Sequence, residues 1–182
     1  PSLLHLSFRY LECGASNPMI KTSDLNAVHS TVLLGMDVLK SVFCRYSMAR
    51  GEKLETIATS ICTQSSATLR YIALMKILSD AYPNLVIEHI AIVKMMVECL
   101  GRLSESESSQ LVSSMRRLVV LKAELKDYIV LISRKSLFQR SIESRVSAVS
   151  SLVALLPGLK AQRDVYDVSA CLKKVLSQEV SV

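Results

Sequence analysis

The chain has 182 residues, half of them hydrophobic, enough for one domain or a short solenoid segment with a true core. Only 5% are aromatic, Trp is absent, and five Gly and four Pro are too few for a turn-rich β protein. Such an aliphatic interior fits helices stacked on helices, and the formal net charge of +6 leaves room for an acidic or phosphate-bearing partner.

The five cysteines, Cys13, Cys44, Cys62, Cys99 and Cys171, are widely spaced with no CxxC pair. That spacing argues against a zinc site and against a disulfide framework, and predicts buried apolar thiols in a reducing compartment. The stretch closest to a membrane span, 85–100, carries Glu88, His89, Lys94 and Glu98 and is not read as one. There is no signal peptide. The chain starts at Pro1 without Met, so it reads as a piece of a longer protein with targeting signals elsewhere.

In chain order, residues 1–23 read as a short helix followed by a loop at Asn17-Pro18. A long helix over about 24–48, N-capped by Asp24, follows from the 3.6-residue period of Leu25, Val28, Val32, Met36, Leu39 and Phe43. Within it His29 reads as a half-buried core residue, and Gly51 ends the pattern. A shorter helix covers about 52–62. The next is capped by Ser65 or Ser66 and stops at Pro83. Asn84 caps a helix to about Gly101, and Ser104 with Glu107 forms a capping box for another containing Leu111, Met115, Leu118 and Val119. Helices follow over about 123–138 and from Ser141 to Pro157-Gly158, and a weak one covers about 165–176. The expected fold is all-α: an irregular α-solenoid of antiparallel helical hairpins, HEAT- or armadillo-like, with about seven to eight helices. The helical-repeat domain spans 24–160, with a weakly helical segment over 161–182.

Chemistry is sparse. His5, His29 and His89 lack partners at metal-ligand spacing, and GxGxxG, P-loop, GxSxG and HExxH motifs are absent, so no cofactor, metal or enzymatic activity is expected. Charge is more informative. Between Met115 and Arg163 stand ten basic and three acidic residues, while the rest of the chain sums to −1. Such a flank can attract a phosphate backbone without reading sequence, although a plain solvated face has the same signature. Arg116, Arg117, Lys122, Arg140 and Arg145 are the candidate DNA contacts. Lys135 shares a helical stripe with Tyr128, Leu131 and Phe138. An ammonium there either snorkels to water, faces a partner surface or is offered for modification.

The stretch Leu125-Lys126-Asp127-Tyr128-Ile129-Val130-Leu131-Ile132-Ser133-Arg134-Lys135-Ser136-Leu137-Phe138 resembles the helix around the monoubiquitination site in the Fanconi anaemia group I protein family (FANCI). The family's Arg-Lys pair, followed by a small residue, an apolar residue and Phe, is matched by Arg134 to Phe138. Its following helix is matched by Ser144-Arg145-Val146-Ser147-Ala148-Val149. Helix order and length from Ala27 to Leu121 are also similar. Ser133 and Ser136 depart from the family's more apolar or smaller residues. The resemblance implies a scaffold in DNA interstrand-crosslink repair and a nuclear location. It implies pairing with a paralogous Fanconi subunit into a DNA-clamping heterodimer. It also implies modification by the Fanconi core ubiquitin ligase and its conjugating enzyme, with Lys135 as the ubiquitin acceptor. The family's Ser-Gln phosphorylation cluster is matched near the C-terminus by Ser177-Gln178. Alternatives are the paralogous subunit itself and a generic helical-repeat adaptor for protein binding, such as a trafficking scaffold.

Overall fold

The computed structural model describes residues 3–13 and 22–179, and every regular element among them is helical. The predicted loop around Asn17-Pro18 lies outside the described residues. Eleven α-helices stand among the described residues: α1 (Leu3–Glu12), α2 (Thr22–Arg45), α3 (Arg50–Cys62), α4 (Thr68–Ala81), α5 (Pro83–Ile87), α6 (Ile90–Glu98), α7 (Glu105–Ser114), α8 (Arg116–Leu121), α9 (Ala123–Leu137), α10 (Ile142–Leu155) and α11 (Gln162–Glu179). About seven to eight were expected. The extra helices arise where a continuous apolar pattern is cut without Gly or Pro, at Glu88-His89 and at Met115; the break before α9 falls where it was expected, at Lys122, whose backbone is extended (φ −132°, ψ 95°).

The cuts have a plan. α3 packs on α6 and α6 on α9; α4 packs on α7 and α7 on α10; α5 packs on α8, and α8 on the 3-10 turn Leu156–Gly158. The hairpins expected from sequence are thus units of two long helices and one short one, stacked three deep. α4, α7 and α10 begin 37 residues apart, at Thr68, Glu105 and Ile142. The same step carries the fully buried Leu74 onto Leu111 and Ala148, and Leu78 onto Met115 and Leu152. Each unit therefore buries its apolar face on its neighbour, as solenoid repeats do. One continuous core runs from Leu11 to Leu155, and a smaller one joins Leu137, Ala148, Leu152 and Val168 under α11.

The N-terminal pair α1–α2 is tied to the first unit. A Cβ on Gly35 would stand 2.9 Å from the Ser7 carbonyl oxygen, so only Gly lets α1 and α2 cross so closely. Tyr71 is buried and donates to Glu12 Oε1 at 2.8 Å; burial, helped by that acceptor, pushes its phenol up to about 12. The stretch Ala27–Arg45 of α2 is long and apolar enough to cross a membrane by length and composition. Its buried residues nevertheless form one stripe, Val32, Met36, Leu39 and Phe43, the pattern of a helix seated on a protein core. Arg50 closes the end of α2, donating to the carbonyls of Phe43 and Cys44.

Several local expectations change. α2 begins at Thr22, two residues ahead of Asp24, and ends at Arg45. His29 is exposed, because the buried stripe of α2 begins only one turn later, at Val32. Gly51 lies inside α3, and the break falls earlier, at Tyr46 and the 3-10 turn Ser47–Ala49. α4 has Ala67 at its N-cap rather than Ser65 or Ser66, since residues 65–67 make a turn in which Thr68 N–H donates to the Ser65 carbonyl. α5 starts on Pro83, not Asn84, as proline suits the first helical position. The Ser104–Glu107 capping box is present in full, and Ser141 caps α10 by accepting from Ser144 N–H.

The cysteine expectation is overturned. Cys62 ends α3 and Cys99 follows α6, and the packing of α3 on α6 brings their Cα atoms to 5.5 Å, where they form a disulfide across 37 residues. Cys13, Cys44 and Cys171 remain free thiols, half-buried rather than buried.

Candidate functional site

The last turn of α9 carries Lys135. Leu125, Ile129, Ser133, Ser136 and Leu137 face inward, and the opposite side of the helix is left to solvent. The predicted stripe therefore faces outward: Leu131 is 54% exposed, Phe138 79%, and Lys135 stands between them. The Lys135 ammonium makes no ion pair or hydrogen bond to any described residue. Ile142, at the start of α10 and 66% exposed, extends the apolar rim past Phe138. Arg134 and Lys135 lie where the partial negative charge of the helix end favours cations.

The helix beneath is held firmly. Glu124 pairs with Lys94, which holds its carboxyl below the ordinary value, and the Lys94 ammonium sits 5.3 Å from the centre of the Tyr128 ring. The Tyr128 hydroxyl donates to Glu98, and that bond raises its pKa. Lys126 binds Asp164 at 2.8 Å, anchoring α9 to α11. At the other end, Ser136 fills a seat made by Gly101, where a Cβ would stand 2.7 Å from the Ser136 Oγ. Ser144 Oγ donates to the Gly101 carbonyl at 2.7 Å, and Ser147 Oγ to that of Leu103. Both serines that departed from the family pattern are buried, Ser136 against Gly101 and Ser133 with its hydroxyl unpartnered, and the small side chains of Ser136, Ser144 and Ser147 let α9 and α10 approach residues 99–103 closely.

The basic residues divide into two groups separated by the length of α9, about 22 Å for its fifteen residues. At one end, Arg116 Nε donates to the Ala154 carbonyl at 3.0 Å and Arg117 donates to the Asp80 carbonyl, so both are engaged in holding α8. Lys122 beside them is exposed. At the other end, Arg134, Lys135 and Arg140 are exposed and Arg145 is half-buried. Ser177 lies in α11, within the stretch whose side chains are outside the described residues. No cluster of His, Cys, Asp and Glu suited to a metal ion occurs among the described residues. Chemically the site offers a free primary amine on a rigid helix end with an apolar rim, which can accept an acyl group delivered by another protein.

The comparisons with known proteins agree with the all-α fold. The profile of the FANCI solenoid 2 family matches residues 1–153, from the start of the chain to two residues before the end of α10. The chain belongs to that family. It is also similar to a Fanconi anemia group I protein homolog from Mus musculus, 25% identical over 129 residues, 70% of this chain. The chain spans about a tenth of the length of that relative. As a FANCI solenoid 2 chain it is an all-α helical scaffold, and α9, with Lys135 in its last turn, lies wholly inside the matched segment.

Reasoning from sequence missed three features here: the Gly101–Ser136 seat, the Cys62–Cys99 bond and the arginine beside it. The only linear signal for the first was Gly101 near the end of a helical pattern. The others carried none.

Proposed function

We propose that this chain is the ubiquitin-acceptor segment of a Fanconi-pathway scaffold working in interstrand-crosslink repair, with Lys135 receiving a single ubiquitin. The observation that carries the reading is the placement of Lys135: an exposed, unpaired amine between exposed Leu131 and Phe138, on a helix end fixed by Ser136. Isopeptide formation needs an amine that another protein can reach. The deprotonated amine attacks the thioester carbonyl of ubiquitin on a conjugating enzyme, the C–S bond breaks with the conjugating enzyme's sulfur leaving as thiolate, and the amine proton passes to base. The Fanconi core ligase and its conjugating enzyme would supply the reactive thioester. The apolar rim gives a protein partner, the paralogous Fanconi subunit, a surface to cover. In this reading the protein acts in the nucleus, and exposed Lys122, Arg134 and Arg140 contribute electrostatically to holding double-stranded DNA. Arg116, Arg117 and Arg145 contribute less, because the first two are bound to backbone carbonyls and the third is half-buried. Ser177 is the phosphorylation site of the same reading.

The test is reconstituted ubiquitination of the full-length protein in complex with its paralogue and DNA, comparing wild type with Lys135→Arg. The variant is expected to lose the modification while keeping its fold. Modification at the wild-type rate would remove Lys135 from its role.

A further inference from the structure

The junction between α3, α6 and the 3-10 turn Leu100–Arg102 holds a group of residues with its own chemistry. Cys62 and Cys99 are bonded there, and their two sulfurs stand in different surroundings. Cys99 is 2% exposed, whereas Cys62 is half-buried at the end of its helix and is the more exposed of the two. The guanidinium of Arg102 donates from Nη2 to Cys99 Sγ at 3.1 Å. A second tie crosses the same junction: Gln64, held at φ 52°, donates from its side-chain amide to the Arg102 carbonyl. A non-glycine residue in that left-handed region persists only where its surroundings hold it.

Disulfide exchange runs best when one sulfur can be reached and the other leaves as a stabilised thiolate. This junction supplies both conditions. We propose that Cys62, Cys99 and Arg102 form a thiol–disulfide exchange site that opens and closes the junction in response to dithiol reductants. A reductant thiolate attacks Cys62 Sγ, a new S–S bond forms, and the Cys62–Cys99 bond breaks with its electron pair leaving on Cys99 Sγ, which faces the Arg102 cation. The second thiol of the reductant then attacks its own sulfur in the mixed disulfide and releases Cys62. The reductant ends as a disulfide, and the two protein thiolates take up the two protons it gives up. Closure is the reverse and needs a disulfide oxidant.

Opening has a mechanical consequence. The stretch 99–103 is tied to the end of α3 and the turn after it through the disulfide and the Gln64 amide, and it touches α9 and α10 through Ser136, Ser144 and Ser147. Reduction removes the one covalent tie and leaves the Gln64 hydrogen bond and the buried Leu100 and Leu103 to hold the turn. The inference does not depend on the proposed function, and it is read without ubiquitin, DNA or partner.

The experiment takes the full chain, oxidised with oxidised glutathione and kept without denaturant. A tryptic map should show peptide 54–70 cross-linked to peptide 95–102, and dithiothreitol should make Cys62 and Cys99 alkylatable with the fold intact. Arg102→Leu should slow that opening by about threefold or more, since the departing sulfur loses the cation that faces it and exchange slows with a poorer leaving group. Arg102→Lys, which keeps the charge, should recover most of the rate. Amide exchange across residues 99–103 should rise on reduction. Free alkylation of both cysteines after oxidation, opening only in denaturant, an Arg102→Leu rate equal to wild type, or unchanged amide exchange would each overturn the proposal.

Discussion

Gly101 lies so close to Ser136 that a single methyl group on Gly101 would stand 2.7 Å from the serine hydroxyl oxygen. That contact fixes the last turn of α9 against the turn following α6. Gly101→Ala must displace the buried Ser136 hydroxyl from its seat. Overpacking of this kind costs about 1–3 kcal/mol. The expected result is a lower denaturant midpoint with an unchanged m-value. The paired change Gly101→Ala with Ser136→Gly should recover much of the loss, and a destabilisation that Ser136→Gly leaves untouched would show that the contact is not the cause.

Lys53 is 3% exposed, and its ammonium has no hydrogen-bond partner. Burial holds its pKa below the usual 10.5. A depressed lysine means that the unfolded chain binds the proton more tightly. The penalty is therefore full below the folded-state value and fades as pH rises toward 10.5. Lys53→Met should stabilise the protein at neutral pH by about 1 kcal/mol or more. The wild type should then close that gap as pH is raised, which urea titrations of both proteins at neutral and alkaline pH would measure. A gap that stays constant with pH would rule out the unpaired ammonium as its source.

The capping box at the start of α7 closes on itself: Glu107 N–H donates to Ser104 Oγ, and Ser104 N–H donates to Glu107 Oε2. Ser104→Ala should cost about 1 kcal/mol, and Ser104→Asp, also a good cap, should cost much less. Thermal unfolding of the two variants separates a capping effect from a packing one.

Phe138 and Leu152 make a matched pair for separating surface from core. Phe138 is 79% exposed and Leu152 fully buried. Leu152→Ala should cost about 2–5 kcal/mol. Phe138→Ser should leave stability within about 0.5 kcal/mol, yet weaken capture of the paralogous subunit. Undiminished capture by a folded Phe138→Ser protein would mean that the partner does not cover this rim.

The basic residues should behave differently from one another. Neutralising exposed Lys122 or Arg140 should lower the salt slope of DNA binding by about one for each phosphate left without its cation, with no change in stability. Arg116→Gln should act mainly through stability, because its guanidinium holds the Ala154 carbonyl at 3.0 Å. Titrations of the full-length complex at several salt concentrations, beside melting curves, distinguish the two.

Much of the fold was legible in the chain, and the reasons are local. The 3.6-residue period of Val32, Met36, Leu39 and Phe43 names the buried face of α2. Ser104 and Ser141 announce helix starts, because a short polar side chain satisfies the first free amides. The 37-residue repeat was not legible. The positions it superposes hold Leu, Leu and Ala in one case and Leu, Met and Leu in the other, so burial repeats while residue type does not. The helix breaks at His89 and Met115 were hidden too, since no Gly or Pro marks them.

At the site, the order of residues is enough to put Lys135 in one stripe with Leu131 and Phe138, because helical geometry sets which residues lie side by side. It could not say whether that stripe faces the core or the solvent. The stacking of α9 on α6 and α10 settles that, by covering Ile129, Ser133 and Ser136 and leaving Lys135 outside. The same division holds for the cysteines. Their spacing along the chain argued for separate thiols, and the packing of α3 on α6 brought Cys62 to Cys99. Periodicity is a property of neighbours in sequence, whereas exposure and pairing depend on which distant helix arrives, and that is fixed by the collective burial of apolar faces.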